Sequence, residues 1–125
     1  MRRSDQRRDA VFAVYQRDVT GRPLDEVLAG AKPFTRQLAE AVEAEREDLD
    51  AEIDRHSRGW AVERLCALER SIMRVALYEL RHPDDVPVEV AIDEAVSFAK
   101  EFCGAEAPGF VNGILGAVAR ETVSE

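Results

Sequence analysis

The segment from Leu68 to His82 is apolar around almost its whole circumference when it is drawn as a helix. Arg70, Arg74 and Arg81 share one narrow polar stripe on this helix. A helix that is apolar on nearly all sides is buried by other elements. The segment therefore predicts a helical bundle with this helix in its middle. The apolar positions are Leu68, Ile72, Val75, Ala76, Leu77, Tyr78 and Leu80.

The sequence before this segment has apolar residues at i, i+3 and i+4, and period-two alternation is nearly absent, so helices are predicted rather than strands. The first helix begins at Ser4, a plausible N-cap. A short helix runs from Pro23 to Gly30. A near-heptad apolar pattern then extends from Phe34 to Ile53, and Trp60 and Leu65 are assigned to a short connecting helix or turn.

Two further amphipathic helices are predicted in the last third of the chain. One follows the turn at Pro83–Pro87 and ends at Gly104, and the other begins near Pro108. At 125 residues, the chain is predicted to be a single all-α domain spanning residues 1–125. The helix that follows the Pro83–Pro87 turn has Ile92, Ala95, Val96, Ala99, Phe102 and Cys103 facing inward. Its outward residues are Glu89, Val90, Asp93, Ser97 and Lys100. The helix that begins near Pro108 buries an arc of Val111, Ile114, Leu115 and Val118, and Phe110 lies at the edge of this arc.

The sequence predicts a cytoplasmic location. It contains no apolar run long enough for a transmembrane helix, and its N-terminus lacks the uninterrupted apolar stretch of a secretory signal. Cys66 and Cys103 both lie in apolar, helix-like stretches. They are therefore predicted to be two reduced thiols in the core of an intracellular protein.

The charge of the chain is divided unevenly. The formal net charge is −8, yet the first eight residues carry four arginines against Asp5, which gives +3 there and −11 over the rest. Arginine suits phosphate and base contacts because its guanidinium is planar and forked. This basic tip is a candidate RNA or DNA contact, and a solvated helix N-terminus is the alternative. Its arginines are Arg2, Arg3, Arg7 and Arg8.

Glu79 is the carboxylate that this pattern explains least. At 100° per residue it projects inside the apolar arc of the central helix, where an unpaired charge costs several kcal/mol. An internal arginine pair, a rim position or a cation of a partner protein would each satisfy it. The acidic run from Glu40 to Asp54, in contrast, is predicted to be a solvated face rather than a metal site.

No constellation of catalytic residues is recognisable in the sequence. His56 and His82 have no carboxylate or cysteine at metal-ligand spacing, so no metal site is predicted. The phosphate-binding, dinucleotide-binding and nucleophile-elbow motifs are absent as well. We therefore expect a binding protein without cofactors or catalytic residues, rather than an enzyme.

Three segments resemble the NusB family of bacterial transcription antitermination factors. The strongest is VPVEVAIDEAVSFAKEFCG, residues 86–104, which is similar to the family's VPxxVAINEAVELAKxFG pattern. The others are FVNGILGAVA, residues 110–119, and LERSIMRVALYEL, residues 68–80, which resemble FVNGVLDxxA and VxRxILRxALYEL. The N-terminal RRSDQRRDAVFAVYQ is more loosely similar to RRxARExAxQALYQ. The combination is specific, and residues 21–60 are its weak region.

This resemblance implies an all-α fold of about seven helices in two small packed bundles. It also implies a transcription antitermination factor that acts with NusE, a small-subunit ribosomal protein, on boxA elements of single-stranded nascent ribosomal RNA. The pair would help the transcription elongation complex resist termination. NusB family members are monomers or homodimers, and the sequence does not decide between these states.

The resemblance also implies site residues. The family's arginine-rich N-terminus contacts RNA, which assigns Arg2, Arg3, Arg7 and Arg8 to that role, and Tyr15, Lys100 and Phe110 are expected near the same surface. A core tyrosine at Tyr15 and a helix-start anchor at Phe110 are the alternatives. Tyr78 and Glu79, in the LYEL motif, are expected to face NusE. Asn112 and Gly113 are expected to be structural, as a packing or capping amide and a close helix contact.

Some positions depart from the family pattern. Asp93 replaces an asparagine, Gly116 replaces an acid, and Ser4 and Asp5 interrupt the arginine cluster. These departures weaken the basic patch, so we expect NusE to add affinity. The alternative functions are an RNA-binding domain related to those of ribosomal RNA methyltransferases and a helical scaffold for protein interactions.

Overall fold

The computed structural model describes residues 2–57 and 66–124, and all regular structure in these ranges is helical. The prediction of an all-α fold is confirmed, whereas Trp60 and Leu65 lie outside the described residues. None of the helices in the described ranges has the length and apolar character needed to cross a membrane. The helices are α1 (Arg3–Thr20), α2 (Leu24–Val27), α3 (Pro33–Ala44), α4 (Arg46–His56), α5 (Ala67–Leu80), α6 (Val88–Phe102) and α7 (Ala107–Ser124).

Helix α5 lies in the middle of the molecule, as its apolar circumference predicts. It packs against α1, α3, α4, α6 and α7. Ile72, Met73 and Leu77 on α5 are almost completely buried. The chain thus forms an N-terminal group, α1 to α3, and a C-terminal group, α4 to α7. Helix α5 of the C-terminal group also packs against α1 and α3 of the N-terminal group.

The N-terminal group differs from the prediction in two details. Helix α1 begins at Arg3 with Arg2 at the N-cap, so the assignment of Ser4 as the cap is wrong. The pattern from Phe34 to Ile53 is divided into α3 and α4 by a break at Glu45. The periodicity continues across this break because Leu38, Val42, Leu49 and Ile53 all point into one core.

In the C-terminal group, the buried arc of α7 is confirmed, since Val111, Ile114, Leu115 and Val118 are all buried. The inward face of α6 is partly wrong. Ala95 and Ala99 are buried as predicted, whereas Phe102 is 46% exposed, and the predicted face omits the buried Phe98. The prediction of two core thiols is also wrong, because Cys66 is exposed and Cys103 is only half-buried. Both cysteines lie at helix ends, where periodicity no longer decides which side is covered.

The arginine stripe on α5 is a row of ion pairs rather than a solvated edge. The Arg74 side chain is only 1% exposed. Its Nε and Nη2 donate to the two carboxylate oxygens of Asp50 at 2.6 and 2.8 Å. Asp18 of α1 accepts from Arg46 at 2.8 Å and from Arg70 at 3.1 Å. Because these residues belong to α1, α4 and α5, the ion pairs connect the two helical groups.

The acidic run is therefore only partly a solvated face. Glu40, Glu47, Asp48 and Asp54 are exposed, as predicted. Asp50 neutralises the buried Arg74, and Glu45 and Glu52 accept from Arg81 at 3.1 and 2.5 Å. Asp50, Glu45 and Glu52 thus serve as counter-charges for Arg74 of α5 and for Arg81 at its C-cap.

We predict that Arg74→Met lowers the free energy of unfolding by about 3 kcal/mol, because it removes the buried cation that donates hydrogen bonds to both carboxylate oxygens of Asp50. Arg81→Met is the matched control on the same helix. Its side chain is 33% exposed, so the loss should stay below about 1 kcal/mol. Urea denaturation followed by circular dichroism measures both, and equal losses would contradict the assignment of Arg74 as a buried structural cation.

Candidate nucleic-acid interface

The basic N-terminal turns of α1 lie against the central helix and α6. Ala10, Val11 and Val14 are buried, and they fix α1 on the core. The polar residues of the preceding turns are thereby held at the edges of the contact with α5 and α6. Consequently the four arginines of the basic tip face different surroundings and do not form one exposed patch.

Arg7 is buried between two carboxylates. Its Nε donates to Glu79 Oε2 of α5 at 2.7 Å, and its Nη1 donates to Glu94 Oε2 of α6. The side chains of Arg7 and Glu79 are only 10% and 4% exposed. The cation that neutralises Glu79 therefore belongs to this chain and not to a partner protein. The expectations that Arg7 is free to contact RNA and that Glu79 faces a partner protein are both corrected by this burial.

The electrostatics of this group follow from its burial. Desolvation raises the pKa of Glu79, and the hydrogen bond and charge of Arg7 act against that rise. For Arg7, burial disfavours the cation, but hydrogen bonds and charges from Glu79 and Glu94 outweigh it and raise the pKa. The guanidinium thus stays charged and joins α1, α5 and α6 at one point.

Arg8 lies at the surface beside a cluster of aromatic rings. Its Nη1 donates to Glu101 at 2.7 Å. Its guanidinium lies 5.2 Å from the ring centre of Phe98 and 5.9 Å from that of Phe102. Phe12 packs against both rings, with ring centres 5.2 and 5.5 Å away. The exposed ring of Phe102 beside a cation is an arrangement on which a nucleic-acid base can stack.

Phe102 is an exposed aromatic residue that the apolar pattern of α6 assigns to the core instead. Periodicity places it on the same stripe as Ala91, Ala95 and Phe98, and that stripe predicts burial. Phe102 is, however, the last residue of α6, and it remains 46% exposed despite its contacts with Phe12 and Phe98. The one available signal is its place beside Lys100 and Glu101 at a helix end.

The other two arginines of the tip are more exposed. Arg2 is 82% exposed and lies 3.5 Å from the Asp5 carboxylate. The Arg3 guanidinium lies 4.2 Å above the ring centre of Phe34 on α3. Each arginine of the tip thus has an acidic or aromatic neighbour. The local charge that is free to act on a ligand is smaller than the count of +3 suggests.

The remaining expected site residues are placed separately. Tyr15 is half-buried on α1, seven residues after Arg8 and hence on the same side of that helix. Lys100 is exposed on the last turns of α6, beside Glu101. Phe110 is half-buried and packs against the core. Tyr78 is half-buried with its ring 4.4 Å from that of His82, and burial raises its pKa.

The expected structural roles of Asn112 and Gly113 are wrong. Both residues are exposed on the first turns of α7. A Cβ atom added at Gly113 would meet nothing within 4 Å, so no close helix contact requires a glycine there. The fold therefore does not explain these two motif positions, and they are available to a ligand.

His56 lies beside two carboxylates, Glu52 four residues earlier on α4 and Glu121 of α7, so the expectation that it has no carboxylate at metal-ligand spacing is wrong for Glu52. Ligand atoms of Glu52, His56 and Glu121 lie within 4.8 Å of one another. His56 Nε2 lies 3.0 Å from Glu121, and Arg81 and Arg55 already pair with these carboxylates. The group is thus an ion-paired junction of α4 with α7, in which tertiary structure brings Glu121 to a pair that α4 already places on one face.

The chain is similar to known proteins over nearly its whole length. The NusB family model matches residues 4–120. Transcription antitermination protein NusB of Rubrobacter xylanophilus is 46% identical over 122 residues, covering 92% of this chain and 88% of that protein. The protein of that name from Geobacillus kaustophilus is 39% identical over 124 residues, covering 94% and 95%.

Solved structures show the same fold. T. maritima NusB superposes with a TM-score of 0.90 at 30% identity, covering 97% of this chain and 92% of that one. A structure of antitermination factors NusB and NusE in complex with dsRNA has a TM-score of 0.79 at 25% identity, with coverages of 97% and 99%.

We predict that Arg7→Met lowers the free energy of unfolding by about 3–5 kcal/mol, because Glu79 is left buried without its cation. The double variant Arg7→Met/Glu79→Leu should recover most of that loss, since both buried charges are removed. Arg2→Met is the control and should change stability by less than about 0.5 kcal/mol. Chemical denaturation of the wild type, these three variants and the single variant Glu79→Leu measures the coupling, and additive losses would contradict a direct buried pair.

Proposed function

This chain belongs to the NusB family, and from that membership we propose that it is a transcription antitermination factor. It binds boxA RNA of ribosomal RNA transcripts together with NusE and supports ribosomal RNA transcription. The observation that carries the proposal is its likeness, over 97% of its length, to the NusB of a complex with NusE and RNA. The relatives named above are antitermination proteins, so we propose a cytoplasmic binding protein that has no catalytic activity.

Single-stranded RNA is held by cations on its phosphates and by aromatic or guanidinium planes on its bases. Arg2, Arg8, Lys100 and Phe102 supply these groups on α1 and α6, and we call them the α1–α6 surface. Arg8 and Phe102 are in contact there. Arg3, Tyr15 and Phe110 extend the proposed RNA surface, whereas Arg7 supports it from inside through Glu79 and Glu94.

The charge of the chain argues for a partner in RNA binding. The residues outside the basic tip carry a formal charge of −11. Arg8 also donates a hydrogen bond from one guanidinium nitrogen to the Glu101 carboxylate. The chain by itself therefore offers RNA few free cations, and NusE is proposed to supply the missing affinity.

Tyr78 remains the proposed NusE contact on α5. It lines a surface cavity of about 230 Å³ together with Arg3, Phe34 and His82. Glu79 also lines this cavity, but it is buried. Its proposed contribution to a NusE contact is therefore indirect, because it holds Arg7 and the packing of α1 on α5 in place.

The proposal predicts that NusE tightens binding of a fluorescent boxA-like RNA in an anisotropy titration. With about three arginine or lysine contacts to phosphate, log affinity should fall against log salt with a slope of roughly −2. Phe102→Ala should weaken binding about tenfold through lost stacking. Val90→Ala, another exposed apolar residue of α6, is the control. If NusE adds nothing to RNA affinity, the proposal fails.

A second prediction concerns the counter-charge on Arg8. Glu101→Gln removes the carboxylate that Arg8 contacts at 2.7 Å, so RNA should bind several-fold more tightly at low salt. The salt dependence should steepen, because one more cation is free for phosphate. Glu89→Gln, at the opposite end of α6, is the control for the change in net charge. Equal gains in the two variants would mean that Arg8 does not contact RNA.

A further inference from the structure

The two cysteines lie at matching ends of one helical hairpin. Helices α5 and α6 are packed neighbours joined by residues 81–87. They contain 14 and 15 residues, so the start of α5 lies level with the end of α6. Cys66 is the N-cap of α5 and Cys103 is the C-cap of α6. Hairpin geometry thus places two thiols opposite each other, although they are far apart in sequence.

The surroundings of the two thiols agree with this placement. Cys66 is close enough to Cys103 to contribute to raising the pKa of the Cys103 thiol. Cys66 is exposed, whereas Cys103 is half-buried and packs against the core. Burial, the neighbouring Cys66 and the charge of Glu69 raise the pKa of Cys103 to about 11. One thiol is therefore open to solvent reagents, and the other is a shielded, protonated neighbour.

We propose that Cys66 and Cys103 form a reversible oxidation site, in which a hydroperoxide converts the thiol pair into an intramolecular disulfide between α5 and α6. Thiol pairs near a protein surface are typical of labile, redox-responsive disulfides rather than permanent ones. The proposed modification site adjoins Phe102 of the α1–α6 surface, because Cys103 is the next residue in the chain. The proposal does not depend on the RNA-binding function.

The chemistry proceeds in two displacements. The Cys66 thiolate attacks one oxygen of hydrogen peroxide, the O–O bond breaks, and the departing hydroxide is protonated to water, which leaves a sulfenic acid on Cys66. The Cys103 sulfur then attacks the Cys66 sulfur and breaks its S–O bond. The departing hydroxide takes the Cys103 proton as a second water. Two electrons pass from the thiols to the peroxide, and each sulfur loses one hydrogen.

Exposure decides the order of these steps. Cys66 is accessible to peroxide, so it is the sulfur that is oxidised first. Cys103 keeps its proton until the sulfenic acid forms beside it, and it then acts as the resolving thiol. A neighbouring resolving thiol prevents further oxidation of the first one to the irreversible sulfinic acid.

The test treats the full chain with hydrogen peroxide under native conditions and measures free thiols and intact mass. The wild type should lose both thiols, become lighter by two hydrogens and remain monomeric on a non-reducing gel. Dithiothreitol should restore both thiols. The oxidised wild type should also melt several degrees higher than the reduced one, because the cross-link restricts the unfolded chain.

Single variants separate the pair from two independent cysteines. In Cys103→Ser, Cys66 has no resolving thiol, so peroxide should yield a heavier sulfinic acid or a disulfide between two chains. In Cys66→Ser, the shielded Cys103 should keep its thiol at peroxide doses that oxidise the wild type. The proposal is overturned if the wild type gains oxygen on Cys66 while Cys103 stays free, or if its disulfides join separate chains.

Discussion

The burial of charged groups around α5 is the constraint on which the rest of the structure depends. A helix covered on nearly all sides carries Arg74 and Glu79 into the interior, and each needs an opposite charge brought by another helix. Asp50 and Asp18 reach Arg74 from α4 and α1, and Arg7 reaches Glu79 from α1. Because such pairs have strict geometry, they fix how α1 and α4 are positioned on α5.

The same constraint shapes the proposed RNA surface. Arg7 belongs to the basic tip by sequence but to the interior by structure, so its charge holds α1, α5 and α6 together. Its neighbour Arg8 points to the surface and meets Glu101 and the aromatic rings. Adjacent arginines on one helix thus have different roles, since successive side chains point in directions about 100° apart.

This division suits a factor that works with a partner. A chain whose acidic groups neutralise many of its own arginines keeps only a small cationic area for RNA. Two components that each contact RNA weakly can bind it tightly together, because the second contact is made within the complex. The counter-charges therefore limit what the chain binds alone, and the NusE contact is proposed to overcome that limit.

The sequence by itself determined the helical class, the central place of α5, the buried arc of α7 and the NusB resemblance. These properties depend on apolar periodicity and on local motifs, which are readable along the chain. Tertiary structure alone decided that Arg7 is the partner of Glu79, that Phe102 is exposed, that Gly113 has room for a side chain and that Cys66 lies beside Cys103. Each of these depends on which helix covers a side chain, and coverage is set by packing between residues distant in sequence.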